Sequence, residues 1–155
     1  MALTKLNNQS LNAVTTAGIP IRTGSVLQTV TNTSNSTVSE ATTNLEDLLT
    51  ISITPQFANS IIHIEAYVGV LQVSAGSSNA YGQVVLSDPQ GNQLFRAVTG
   101  QAGYNTETYS LFGIHSPNST SQQTYKISIS TSSGGTSNVS TDGQRYSIRA
   151  MEIAG

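Results

Sequence analysis

The sequence predicts an all-β protein: an antiparallel β-sandwich, jelly-roll-like, carrying an extended N-terminal arm. Three observations predict it. From Ser25 onwards apolar and polar residues alternate with period two, the signature of strands with one buried face. Gly, Pro, Asn and Asp clusters punctuate that alternation at the regular spacing of a multi-stranded sandwich. No helical period is sustained anywhere; Leu45, Leu48 and Leu49 could supply one turn and no more. At 155 residues the chain is long enough for one domain with a core and too short for two comfortable ones.

Residues 1–24 read as an arm, and 25–155 as the sandwich. The arm spaces Leu3, Leu6, Leu11, Val14, Ile19 and Ile21 among polar residues, and Gly18 and Pro20 block a long helix. Such a segment is expected to lie against its own sandwich or a neighbouring subunit, which makes those six residues the candidate assembly contacts. The first strand is expected over Val26–Thr31, followed by a polar loop or hairpin over Asn32–Ser39. Leu49–Thr54 alternates cleanly and closes at Pro55, with Glu46-Asp47 placed in the preceding loop. The longest strand spans Ser60–Ser74. One face carries Ile62, Ile64, Ala66, Val68 and Val70; the other is mixed, with Ile61, His63, Glu65, Tyr67, Leu71 and Val73.

Ala80–Ser87 and Asn92–Thr99 flank Asp88-Pro89-Gln90-Gly91. Pro fixes φ at the second turn position, Asp opens the turn and Gly closes it, which predicts a hairpin. Tyr104–His115 and Thr124–Thr131 alternate again, Gly134-Gly135 opens a loop, and Gln144–Ile153 forms the final strand. The expectation is seven or eight strands.

Composition limits the chemistry. Ser, Thr, Asn and Gln make up 65 of the 155 residues, while only 9% are charged. A free-standing soluble domain carries roughly a quarter charged residues. A disordered chain would be more charged and poorer in Val, Ile and Thr. The chain therefore folds, with a hydroxyl- and amide-rich surface. Its net charge is −2, and the basic residues Lys5, Arg22, Arg96, Lys126, Arg145 and Arg149 form no phosphate track, so nucleic acid is not an expected partner. There are no cysteines, and no apolar run reaches membrane-spanning length. Met1–Gly18 has no hydrophobic segment after a basic one, so folding in a cytoplasm without secretion is expected.

No enzyme, cofactor or metal is expected. His63 and His115 lie outside any nucleophile-elbow context. The acids show neither the spacing of a calcium loop nor an obvious catalytic pair. Binding is the open alternative: Tyr81, Tyr104 and Tyr109 fall near strand ends or loops rich in Asn, Gln and Ser, a combination suited to sugar contact.

Three segments together resemble a known family. Leu49–Pro55, followed by Ile61-Ile62-His63-Ile64, resembles a strand–Thr-Pro–strand pattern in small virion proteins of cyanophages and marine tailed phages. The ending Ser147–Ala154, with Ala150-Met151-Glu152-Ile153 at its centre, is similar to the ending of that family. So is the opening, Met1–Leu6 running on to Gly24–Gln28. The resemblance implies a fibre-like or capsid-decorating β-sandwich of a phage particle. It would be a homotrimer, in contact with the major capsid protein or tail proteins and displayed on the virion surface, with a host-surface glycan as the alternative ligand. It carries over no catalytic residues. Deleting residues 1–22 is expected to leave the sandwich folded and to abolish attachment to its partner; circular dichroism and a pull-down of the truncated protein check this, and unchanged affinity removes the clamp.

Overall fold

Ten strands form in the computed structural model, which describes residues 23–75, 80–99, 105–132, 134–140 and 143–155. They are β1 (Val26–Ser34), β2 (Val38–Glu40), β3 (Glu46–Ile53), β4 (Ile61–Ala75), β5 (Gly82–Ser87), β6 (Gln93–Val98), β7 (Asn105–His115), β8 (Gln123–Thr131), β9 (Gly135–Val139) and β10 (Tyr146–Ile153). The larger sheet runs β1-β10-β4-β9-β2, with β7 on the other edge of β4; the smaller runs β3-β8-β5-β6. Every described pairing is antiparallel.

Setting aside the short β2 and β9, eight strands remain, and they pair as nested shells. The first pairs with the last (β1–β10), the second with the seventh (β3–β8), the third with the sixth (β4–β7), and the fourth with the fifth (β5–β6). This is a long hairpin rolled over on itself into two sheets, the jelly roll that the alternation predicted. The hairpin tip is Asp88-Pro89-Gln90-Gly91. Asp88 Oδ1 accepts the backbone N–H groups of Gln90 (2.9 Å) and Asn92 (2.8 Å), and Gly91 takes φ +84°. The core fills the space between the sheets: Ile62, Ile64, Val68, Ile148 and Ala150 face Ile51, Ile53, Val84, Leu86, Ile127 and Ile129.

Several elements differ from the sequence reading. The Asn32–Ser39 segment is mostly strand, because β1 continues to Ser34 against β10 and β2 pairs with β9. Glu46-Asp47 belong to β3 rather than a loop; a bulge between Asp47 and Leu49 turns Leu48 inward, and Asp47 accepts from Lys126 Nζ at 2.6 Å. Gly134-Gly135 is a tight turn leading straight into β9 rather than a loop. Gly134 takes φ +82°, and a Cβ on Gly135 would lie 2.9 Å from Ala80 Cβ, so the missing side chain lets β9 pack close.

The apparent mixed face of the longest strand has a geometric origin. Ile62, Ile64, Ala66 and Val68 point inward, then the phase slips and Leu71 and Val73 point inward. The slip coincides with a register shift against β7 between Val68 and Leu71. On its other edge β4 leaves β10 at Val68↔Tyr146 and takes up β9 at Leu71↔Val139. Gly69 sits at the junction. Its N–H donates to Arg145 O at 3.2 Å, and its carbonyl accepts the Thr108 hydroxyl at 2.6 Å. A Cβ there would lie 2.7 Å from the Arg145 carbonyl oxygen, a rigid backbone atom. Gly69→Ala is therefore expected to destabilise the fold by about 1–3 kcal/mol, the usual cost of overpacking, read as a lower urea midpoint at unchanged slope.

Candidate functional site

The larger sheet turns one face to the core and one to solvent. Antiparallel register sets the outward side chains of β1, β10, β4 and β7 in rows. The central row is Thr31–Arg149–Glu65–Phe112. On one side lies Thr33–Ser147–Tyr67–Ser110, and on the other Thr29–Met151–His63–Ile114. The Arg149 guanidinium donates to the Glu65 carboxylate, so the two charges in the middle of the face neutralise each other. Around them stand exposed apolar groups: Tyr67 at 41% exposure, Phe112 at 48% and Ile114 at 52%. The His63 ring meets Phe112 edge-on, with centroids 5.8 Å apart. A shallow depression of about 490 Å³ opens here, lined in part by Thr31, Glu65, Tyr67, Phe112 and Arg149.

This face presents aromatic and aliphatic surface with a balanced charge at its centre. The sequence reading did not single out Phe112 and Ile114. The signal was the period of residues 105–115, where Leu111 and Gly113 turn inward, so that Phe112 and Ile114, in the alternate phase, turn outward.

A second cluster ties the sheet to the β3–β4 connection. Glu152 is fully buried. One carboxylate oxygen accepts from Ser60 Oγ (2.6 Å) and from the backbone N–H groups of Gln56 (2.7 Å) and Phe57 (3.3 Å). The other accepts from Gln28 Nε2 at 2.6 Å, and that amide also reaches the Thr54 carbonyl at 2.6 Å. Burial alone would raise the carboxyl's pKa; the hydrogen bonds from Ser60, Gln28, Gln56 and Phe57 outweigh it and hold the group below the ordinary glutamate value. Glu152 is thus an anchor for β1, β10 and the Thr54–Ser60 connection. It lies in the Ala-Met-Glu-Ile stretch that carried the family resemblance, and it has a structural task there.

Among the described residues neither histidine is hydrogen-bonded to an acid. His115 Nδ1 lies 2.9 Å from the hydroxyl of Tyr125, a wholly buried phenol whose pKa is raised by burial and then by the charge of Asp88. Among the described residues no group of three His, Cys, Asp or Glu side chains is placed to hold a metal ion.

Of the candidate glycan contacts, Tyr81 and Tyr109 lie at different sheets. Tyr81 is 40% exposed, just before β5 in the smaller sheet. Tyr109 is half-buried on β7 of the larger, and its hydroxyl donates to Glu107; burial first, then that bond and charge, raise its pKa. The depression on the outer face includes Tyr67 and neither of these. Tyr104 and the arm residues Leu3, Leu6, Leu11, Val14, Ile19 and Ile21 lie outside the described residues.

No family model matches the chain, and no curated protein matches it. Among solved structures the chain is similar to a protein of the infectious bursal disease virus Gx strain, with 13% identity and a TM-score of 0.44 over 83% of this chain and 37% of that one. It is similar to a Bacillus endospore appendage of a family of disulfide-linked pili, with 9% identity and a TM-score of 0.33 over 86% of this chain and 95% of that one. It is also similar to tailspike protein 4 of bacteriophage CBA120, with 11% identity and a TM-score of 0.24 over 72% and 18%. The chain spans little more than a third of the viral protein, and at these identities and TM-scores the likeness carries no argument about its role.

The Glu152 anchor predicts a pH dependence. A carboxyl held below its unfolded value contributes stability in full above the ordinary glutamate range, about pH 4.3, and loses it as the pH falls through the lower folded value. Glu152→Gln is expected to cost about 1–3 kcal/mol at neutral pH, and the gap between wild type and variant should narrow on acidification below that range. Denaturation at a series of pH values measures it; a constant gap removes the anchor.

Proposed function

We propose that this protein is a non-enzymatic structural component of a tailed-phage virion, displayed on the particle surface and serving as capsid decoration or cement. The observation that carries the proposal is the outer face of the larger sheet: exposed aromatic and aliphatic side chains around an internally neutralised ion pair. A surface of that kind suits cover by other protein subunits. The 9% charge content supports it, since so few charges leave strand edges and faces poorly guarded against association in a free monomer. The resemblance of the Thr-Pro strand pair and of the chain's ending to small phage virion proteins supports the same reading, as does the jelly-roll architecture, which is common in viral capsids.

In this role the protein associates with itself, as the homotrimer the resemblance implies, and with the major capsid protein through residues of the N-terminal arm. It uses no cofactor, nucleic acid or membrane insertion. One observation favours a second reading, a tail-fibre or receptor-binding module for a host-surface glycan. Tyr67 stands beside the hydroxyls of Ser147 and Ser110 in the shallow depression, and a ring beside hydroxyl donors suits a sugar.

Immunogold labelling of intact particles tests the two. Gold over the capsid shell is expected, together with blank glycan arrays at millimolar sugar. Gold confined to the tail tip, with glycan affinity lost in Tyr67→Ala, establishes the second reading instead; unlabelled particles remove both.

A further inference from the structure

We infer that the outer face of the larger sheet is a self-docking surface, on which a second copy of this chain sits across a two-fold axis lying parallel to the strands between β10 and β4. The inference rests on the structural role proposed above and names the partner of that face. Arg149 and Glu65 are direct cross-strand neighbours on β10 and β4, exposed at the middle of the face. When one copy of a sheet faces another, two in-plane axes are available. An axis along the rows sets β10 against β10 and brings Arg149 against its own copy, and Glu65 likewise. An axis along the strands sets β10 against β4 of the second copy, so each Arg149 meets a Glu65. The ion pair within each chain then becomes a four-charge square, alternating in sign. The face is self-complementary about one axis and self-repelling about the other.

The apolar groups follow the same axis. β7 then lies over β1 of the second copy, so Phe112 covers the Thr31 methyl and Ile114 that of Thr29, while Met151 covers the His63 ring. These are the large exposed residues of the sheet centre and its β7 edge, set against small or soft ones. Facing sheets pack about 10 Å apart with strands nearly aligned, and a strand-parallel axis gives that alignment.

The area gives the size class of the contact. Four strands at ~4.8 Å spacing, overlapping for about eight residues at ~3.4 Å each, give roughly 500 Å² per copy. The total of roughly 1,000 Å² is at the lower bound of specific interfaces, the size of weak or transient contacts, so the free protein is expected to pair weakly. Assemblies built on this contact are even-numbered: a dimer or, around a three-fold elsewhere on the molecule, paired trimers.

Charge exchange tests the inference, using the full chain in sedimentation velocity over a concentration series. Wild type is expected to double in mass as concentration rises, from monomer to dimer or from the homotrimer proposed above to paired trimers. Glu65→Arg and Arg149→Glu each place like charges face to face and should weaken association by about tenfold or more. An equimolar mixture of the two variants, and the double variant E65R/R149E, should both restore it. Phe112→Ser, which removes only an exposed ring, should weaken pairing without lowering the melting temperature. Three results overturn the inference: wild type that does not double in mass up to millimolar concentration, single variants associating like wild type, or a mixture no tighter than its components. Association lost on deleting residues 1–22 but indifferent to the charge exchange assigns the contact to that segment, and overturns it as well. Immunogold labelling separates this from the functional reading: labelled particles with a monomeric protein remove the pairing alone, and a dimer absent from particles removes the virion role alone.

Discussion

Strand β4 has more partners than any other described strand, and its partner change at Gly69 sets the shape of the larger sheet. Through Val68 its inner edge is held by β10, and beyond Leu71 by β9. Two strands cannot occupy one edge in succession without the first turning away. The close approach of the Arg145 carbonyl to Gly69 is where that happens, and no residue with a Cβ fits beneath it. Because the same point slips the inward phase of β4 by one residue, the core continues past the junction as Leu71, Val73 and Val139, where an unbroken alternation would have turned Leu71 and Val73 to solvent. The β2–β9 extension depends on it, since β2 joins the larger sheet by pairing with β9 at its edge.

The two faces of that sheet then divide the labour. The inward set, Ile62, Ile64, Ala66 and Val68 with Ile148 and Ala150, holds the sandwich together. The outward set is left with aromatic and aliphatic groups that contribute nothing to the core, and with a charge pair whose exposure limits its worth to the chain's own stability. A face apolar beyond the needs of folding and neutral beyond the needs of solubility is the ground on which we propose cover by a partner. Glu152 shows the opposite economy. A buried carboxylate stabilises the fold only because donors from β1 and the Thr54–Ser60 connection converge on it, and it fixes the end of the sheet at which β1 begins.

Much of the sandwich was legible along the chain. Alternation located most of the strands because a one-residue error would turn a whole apolar set to solvent. The Asp-Pro-Gln-Gly turn identified its hairpin because each residue is required by a backbone angle or a donor. Alternation also held a clue to Glu152: Tyr146, Ile148, Ala150 and Glu152 share one phase of β10, so the acid had to point inward with them. Nothing local told where its donors would come from, since Gln28 lies 124 residues away in sequence. The short strands β2 and β9 were hidden for the same reason. Val38–Glu40 and Gly135–Val139 are polar or glycine-started segments with little propensity of their own, and they become strands because β4 presents an open edge to β9.

Sequence alone determined the all-β class, the antiparallel alternation, the main hairpin and a surface of hydroxyls and amides poor in charge. Those properties follow from residue type and spacing, which act within a few residues of one another. Tertiary structure decided the nested strand order, the phase slip at Gly69, and the meeting of Arg149, Glu65, Phe112 and His63 on one exposed face. Those depend on which strands lie side by side, and register across a sheet is a relation between segments that the chain keeps tens of residues apart.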